Sequence, residues 1–223
     1  DQFKTMWYSP KYNAGDYGTK LLTNLGISRN LFSFPKSIHT VKDCIFAVTN
    51  SEDIVLDYFA GSGTSGHAVI NLNREDDGKR KYILVEMGKH FDTVLKPRIQ
   101  KVVYSKDWKG GKPVSREGIS HIFKYMKLES YEDTLDNLIV KLNEKQQKAL
   151  DMSKATKEDY MLGYMLDIET RESDSLLNID KFADPFNYTL KIRDDNELKT
   201  TKIDLIETFN YLIGLYVEQT EVI

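Results

Sequence analysis

Apolar residues recur with two different periods along this 223-residue chain, and the order in which the periods alternate predicts a mixed α/β protein. Ile38, Val41, Ile45, Phe46 and Val48 follow Phe32, Phe34 and Pro35 at helical spacing, as the stripe of an amphipathic helix ending near Asn50. Ser37 or Thr40 supplies its N-cap, and Asp43 stands three residues beyond Thr40 in the acidic position of a capping box. Ile54-Val55-Leu56 predicts a short central strand, and Gly66 to Leu72, carrying Ala68, Val69 and Ile70, the helix after a glycine-rich turn. Arg74 to Lys81 forms a charged surface connection around Gly78. Tyr82-Ile83-Leu84-Val85-Glu86 is nearly continuous in apolar character, as a parallel strand covered on both faces should be. Strand, helix and strand in that order predict a right-handed crossover. Phe91, Val94, Leu95, Ile99, Val102 and Val103 make a further helical stripe, which Pro97 interrupts, so a kink or two abutting helices is expected.

Residues 1 to 30 hold Trp7, Tyr8, Pro10, Tyr12, Gly15, Tyr17, Gly18 and Gly26. So many aromatics predict an ordered irregular arm rather than a disordered tail. Trp108 to Pro113, with Gly110 and Gly111, is a turn-rich hinge, beyond which Lys and Glu become frequent. Leu128, Tyr131, Leu135, Leu138, Ile139 and Leu142 predict one helix there, and Tyr160, Met161, Tyr164, Met165 and Ile168 a second. Pro185, Phe186, Tyr188, Leu190 and Ile192 alternate as a strand does. Asp204 and Glu207 form a capping box before Leu205, Phe209, Leu212, Ile213 and Tyr216, spaced for a terminal helix. The expected division is therefore 1–110 and 111–223.

Charge adds little by itself: 31 basic and 34 acidic side chains leave a formal net charge of −3. A near-neutral sum does not exclude nucleic acid, because phosphates respond to local basic patches. Lys96, Arg98, Lys101, Lys106, Lys109 and Lys112 make such a stretch around Trp108, either to hold nucleic-acid phosphates, with Lys106 and Lys109 foremost, or as a solvated helix face and hinge. The single cysteine, Cys44, excludes an internal disulfide framework and fits a reducing compartment. No apolar run reaches the roughly 18 residues of a membrane span. No basic-then-apolar leader occurs either, so a cytoplasmic location is expected. His39, His67, His90 and His121 lack compact metal-ligand spacing, and His67 is expected to be a structural helix residue near the loop.

The chemistry concentrates in Ile54 to Gly66. A nucleoside-triphosphate loop requires a lysine after its last glycine, and none follows Gly66. Gly61, Gly63 and Gly66 do satisfy Gly-x-Gly-x-x-Gly, and Glu86 stands where an acid would accept from ribose hydroxyls, so a dinucleotide remains open. Asp57 shifts the balance. A pyrophosphate favours an anion-friendly loop, whereas S-adenosylmethionine presents a sulfonium and an ammonium to which a strand-end carboxylate is useful. Gly61, Ser62 and Gly63 are small enough for the methionine moiety to approach the backbone. The structural alternatives are that Asp57 caps the loop, that Glu86 is a surface helix-start acid, and that Phe59 plugs the sheet edge.

Asp57-Tyr-Phe-Ala-Gly-Ser-Gly-Thr64 resembles the cofactor motif of amino-methylating DNA methyltransferases. Phe34-Pro-Lys-Ser-Ile38 with Thr40-Val-Lys-Asp43 is similar to the preceding cofactor-binding segment of the Mod subunits of type III restriction-modification systems. The likeness extends through Gly18-Thr-Lys-Leu-Leu22, Arg98-Ile-Gln-Lys-Val-Val-Tyr104 with Trp108, Leu128-Glu-Ser-Tyr-Glu-Asp133, Asn178-Ile-Asp-Lys-Phe182 and Asp204-Leu-Ile-Glu-Thr-Phe-Asn210, nearly the whole chain. It implies part of a Rossmann-like, S-adenosylmethionine-dependent methyltransferase sheet, followed by a smaller mixed α/β C-terminal module. Asp57 with Phe59, Ala60, Gly61, Ser62, Gly63 and Thr64 would hold the methionine end, and Glu86 the ribose hydroxyls. Pro35, Lys36 and Ser37 would border the cofactor, and Ser65 stands where the family often has a second threonine. The resemblance further implies adenine-N6 methylation of double-stranded DNA, a Mod homodimer and a Res restriction subunit as partner.

One requirement of that chemistry is missing. The family flips adenine out of the helix and holds it with an Asp/Asn-Pro-Pro-aromatic motif, whereas the five prolines here are all isolated. The chain therefore reads as the C-terminal part of a Mod subunit, without catalytic residues of its own and inactive alone. A nicotinamide oxidoreductase and a noncatalytic DNA-binding or assembly module remain as alternatives.

Overall fold

The computed structural model describes residues 6–137, 184, 186–194, 197–215 and 217–218. The chain divides into two units, Asp1–Lys124 and Tyr125–Ile223. In the first, a π-helical turn at Gly15–Thr19 runs into α1 (Lys20–Asn24), followed by α2 (Ile38–Val48), β1 (Ile54–Asp57), α3 (Thr64–Asp76) and β2 (Lys81–Leu84). A second π-helical turn, Phe91–Leu95, leads directly into α4 (Lys96–Tyr104), and a short hairpin of β3 (Trp108–Lys109) and β4 (Lys112–Pro113) closes the order. Pro97 occupies the first turn of α4, where its missing N–H has no intrahelical partner to lose, so two helical segments abut there.

β1 and β2 pair in parallel, Ile54 opposite Lys81 through Asp57 opposite Leu84, with α3 as the crossover. Ala68, Val69, Ile70 and Leu72 bury α3 between two apolar clusters, one with Ile38 and Ile45 of α2, the other with Leu22, Val94, Leu95, Ile99 and Val102. Each Val, Ile or Leu among them contributes about 1.5–3 kcal/mol when taken fully out of water. The strands are not covered on both faces as their composition suggests. Burial alternates, with Ile54, Leu56 and Ile83 all more than half exposed while Val55, Tyr82 and Leu84 face the clusters. Among the described residues the sheet has two strands and one clothed face.

The expected cap of α2 is also different. Ser37 precedes the helix in extended backbone but makes no side-chain cap; its hydroxyl donates to the Lys11 carbonyl at 2.8 Å. Thr40 lies inside α2, and Asp43 is taken by the arm, accepting from Lys11 Nζ at 2.7 Å and Tyr12 Oη at 2.8 Å. Long-range contacts thus displaced the local capping box, and they tie the arm to α2 at Lys11 and Tyr12.

In the second unit, α5 (Tyr131–Asn137), antiparallel β5 (Thr189–Asp194) and β6 (Glu197–Lys202), and α6 (Leu205–Ile213) enclose a small cluster of Tyr188, Leu190 and Leu205. Asn137 pairs with both backbone groups of Lys191, and Asp133 accepts from the Arg193 N–H, so α5 covers an edge of β5. Asp204 caps α6 by accepting from Glu207 N at 3.0 Å. Gly214, at φ 69°, caps the end of α6 after Ile213, and the expected Tyr216 lies outside the described residues. The expected helix from Tyr160 to Ile168, the Asn178–Phe182 segment and the second half of the Leu128–Leu142 helix lie outside the described residues. Among the described residues no helix is long and apolar enough to cross a membrane, and no group of His, Cys, Asp or Glu is gathered to hold a metal.

Candidate functional site

β1 ends at Asp57, the loop runs from Tyr58 to Gly63, and α3 starts at Thr64. Gly61 and Gly63 both lie in the left-handed region, at φ 52° and 78°. A side chain would also be tight at both: a Cβ would sit 3.1 Å from Phe32 Cζ at Gly61 and 3.0 Å from Leu95 Cγ at Gly63. Gly66 serves packing instead. A Cβ there would meet Leu84 Cδ1 at 2.8 Å and Ile99 Cδ1 at 2.9 Å, so its absence lets α3 approach β2 and α4 closely.

Two carboxylates set the loop. Asp57, half-buried, accepts the Phe59 N–H on Oδ1 at 3.1 Å and the Ser65 hydroxyl on Oδ2. Glu86, just past β2, accepts the Gly61 N–H on Oε2 and the Gly88 N–H on Oε1, each at 2.8 Å. His90 Nε2 lies 3.3 Å from the same Oε2, outside good hydrogen-bond geometry but close enough to attract when protonated. Burial pushes the Glu86 carboxyl up, but the Gly88 and Gly61 N–H groups together with His90 outweigh it and hold it below the usual range. A carboxyl depressed on folding stabilises above its unfolded value near 4.5 and loses that contribution as pH falls through the folded one. Replacing Glu86 by Gln, which aims an amide NH2 at one of two N–H donors, is therefore expected to cost about 1–3 kcal/mol at neutral pH. The loss should shrink in acid; urea unfolding at pH 7 and pH 3.5 checks both, and an equal loss at the two would refute it.

Phe59 is exposed and Ala60 buried beneath the loop, its N–H on the Val85 carbonyl at 3.1 Å. Pro35 and Ser37 are buried and Lys36 is exposed. What joins their segment to the loop is Phe32, whose ring touches the Gly61 position and lies edge-on to His90 at 5.1 Å. Phe34 between them is 94% exposed at φ 58°, a left-handed backbone rare for an aromatic residue.

The basic stretch around Trp108 does not form one surface. Lys106, Lys109 and Lys112 are exposed. Lys101 turns inward to the Leu25 carbonyl with its ammonium 5.2 Å above the Trp108 ring, and Lys96 lies 3.6 Å from Asp92. Arg98 is fully buried, bound to Ser62, Thr64 and His67 beneath the loop. Its position was readable: Arg98 shares a helical face with Leu95 and Val102, three residues before and four after it, so it belongs to the apolar stripe rather than the charged side. Burial and the Arg98 charge push the His67 imidazole well below its usual range, leaving it neutral with Nδ1 as the acceptor.

Comparison with known proteins converges on one group. Residues 1–96 match the DNA methylase family model. The chain is 33% identical over 121 residues to the type III restriction-modification enzyme EcoPI Mod subunit of Escherichia phage P1, covering 54% of this chain and 18% of that protein. It is 47% identical over 55 residues to the StyLTI Mod subunit of Salmonella typhimurium, covering 25% and 8%. With the type II methyltransferase M.KpnI of Klebsiella pneumoniae it shares 34% over 83 residues, 37% and 19% of the two chains. The chain thus spans less than a fifth of each of these relatives. The residues that build the loop and its strand-end aspartate thus lie within a stretch similar to the DNA methylase family, and type III Mod subunits are among the relatives.

Proposed function

We propose that this chain is the cofactor-binding part of a site-specific DNA adenine-N6 methyltransferase, the Mod subunit of a type III restriction-modification system, with S-adenosylmethionine as cofactor. The observation that carries the proposal is the Asp57 carboxylate set at the end of β1 against a loop turned by two left-handed glycines, just before α3. The donor set suits that ligand. Each Asp57 oxygen holds one hydrogen bond and keeps a lone pair for an ammonium. Glu86, braced by two backbone N–H groups, keeps acceptor capacity for ribose hydroxyls.

S-adenosylmethionine would supply an electrophilic methyl group. The chain's own work is to bind and orient it: Asp57 and Phe59 to Thr64 at the methionine end, Glu86 at the ribose, and Pro35, Lys36 and Ser37 along the border. Proximity and in-line orientation toward a flipped adenine would then supply much of the rate acceleration. On this reading β1, α3 and β2 belong to a larger Rossmann-like sheet, residues 1–110 to the catalytic domain and 111–223 to a Mod-type C-terminal domain. Exposed Lys106 and Lys109 are offered as phosphate contacts to double-stranded DNA, with a Mod homodimer and a Res subunit as protein partners.

Because the chain has no adjacent prolines to form the adenine-holding motif, it is expected to transfer no methyl group to duplex DNA by itself. A longer protein that joins it to an Asp/Asn-Pro-Pro-aromatic segment is expected to methylate adenine N6. Incorporation of labelled methyl groups checks both; transfer by the chain alone, or to a position other than N6, would overturn the proposal.

A further inference from the structure

Arg98 is 0% exposed, and no carboxylate is among its hydrogen-bond partners. A buried guanidinium is ordinarily paired with an acid, because an uncompensated charge is costly to keep from water. Arg80, 6% exposed, follows that rule, with Nη1 2.8 Å from Asp76. Arg98 instead spends its donors on neutral groups. Nη1 reaches the Ser62 carbonyl at 3.2 Å, Ser62 Oγ at 3.0 Å and Thr64 Oγ1 at 2.9 Å, and Nε reaches His67 Nδ1 at 3.3 Å. Nη2 has no hydrogen-bond partner among the described residues.

These contacts are concentrated where the loop bends. Ser62 and Thr64 flank Gly63, whose left-handed backbone turns the chain from the loop into α3. Their hydroxyls lie 3.2 Å apart, and a single guanidinium nitrogen bridges them from below. The third partner, His67, is one turn into α3, so one side chain ties the loop, the turn and the helix together. A planar fork with fixed donors can do this; the single ammonium of a lysine cannot reach all three partners at once.

We propose that Arg98 is a positioning residue that fixes Ser62-Gly63-Thr64 in the conformation the ligand meets, although it lies too deep to touch the ligand itself. The first test needs no ligand. Amide hydrogen exchange in the 223-residue chain is compared among wild type, Arg98→Met, Arg98→Lys and Arg80→Met. Local opening free energies differ between segments of one fold, so a lost brace appears where it acted. Exchange at residues 61–66 is expected to accelerate roughly tenfold or more in Arg98→Met and less in Arg98→Lys, with β1 and β2 near wild-type rates. Arg80→Met, which also loses a buried arginine, should leave the loop unchanged. Loop exchange at wild-type rates in both Arg98 variants, or acceleration spread evenly through residues 1–124, would overturn the proposal. If Arg98→Met does not fold, Arg98→Lys carries the same test.

The second test rests on the S-adenosylmethionine reading. Its dissociation constant is expected to rise about tenfold in folded Arg98→Met, with partial recovery in Arg98→Lys and no change in Arg80→Met. Wild-type chain that binds no S-adenosylmethionine would overturn the cofactor reading, while the exchange pattern would still decide the role of Arg98. Wild-type affinity in Arg98→Met would overturn the positioning role.

Discussion

Replacing Gly18 by alanine is expected to destabilise the first unit by about 1–3 kcal/mol, although alanine is the better helix former by about 1 kcal/mol. Gly18 is buried in the π-helical turn before α1, and a Cβ there would lie 2.3 Å from the Pro35 carbonyl oxygen and 3.0 Å from that of Lys36. Both obstacles are backbone. Neither can rotate away, since Pro35 is buried and Ser37 is held to the Lys11 carbonyl. Overpacking against such atoms outweighs the propensity gain, and the segment that borders the candidate cofactor site must move. Gly66→Ala makes the contrast, because its Cβ would press on the methyl ends of Leu84 and Ile99, which have other rotamers, and meet Tyr82 Cδ2 at an ordinary 3.7 Å. Urea denaturation of the two variants checks the order; a Gly18→Ala chain more stable than wild type would show that propensity governs the site.

Asp57→Asn is expected to separate stability from binding. In the free chain the amide oxygen can keep the Phe59 N–H bond, while the NH2 replaces the acceptor facing Ser65, so unfolding should cost only about 1 kcal/mol less. With S-adenosylmethionine the loss is larger, since a charge-assisted bond to the ligand ammonium is worth about 1.5–3 kcal/mol, or about 10–100-fold in affinity. Titration calorimetry beside urea unfolding reads both effects. Affinity within about twofold of wild type would confine Asp57 to capping its own loop.

The two behaviours expected of Asp57 show how far the sequence carried. The order of β1, α3 and β2, and the loop between them, were legible because strand and helix periods differ and because closely spaced glycines mark a turn, which Gly61 and Gly63 make in left-handed backbone. What failed was whatever depends on partners distant in sequence. The capping box of α2 lost to the arm, because Lys11 and Tyr12 claim Asp43. β2 looked covered on both faces because composition cannot say what lies opposite; in this chain its Ile83 is exposed. Arg98 was grouped with surface lysines by charge, although its helical phase placed it with Leu95 and Val102 on the buried face. Lys106 and Lys109 carried no such phase signal and are exposed.

The central claim, that the loop from Asp57 to Thr64 with Glu86 is an S-adenosylmethionine site, is tested most directly by calorimetric titration of the 223-residue chain with S-adenosylmethionine and, separately, with NADH. Saturable one-to-one binding of S-adenosylmethionine, weakened in Asp57→Asn, with no binding of NADH is the result expected. Binding of NADH without S-adenosylmethionine, or binding of neither, would contradict it.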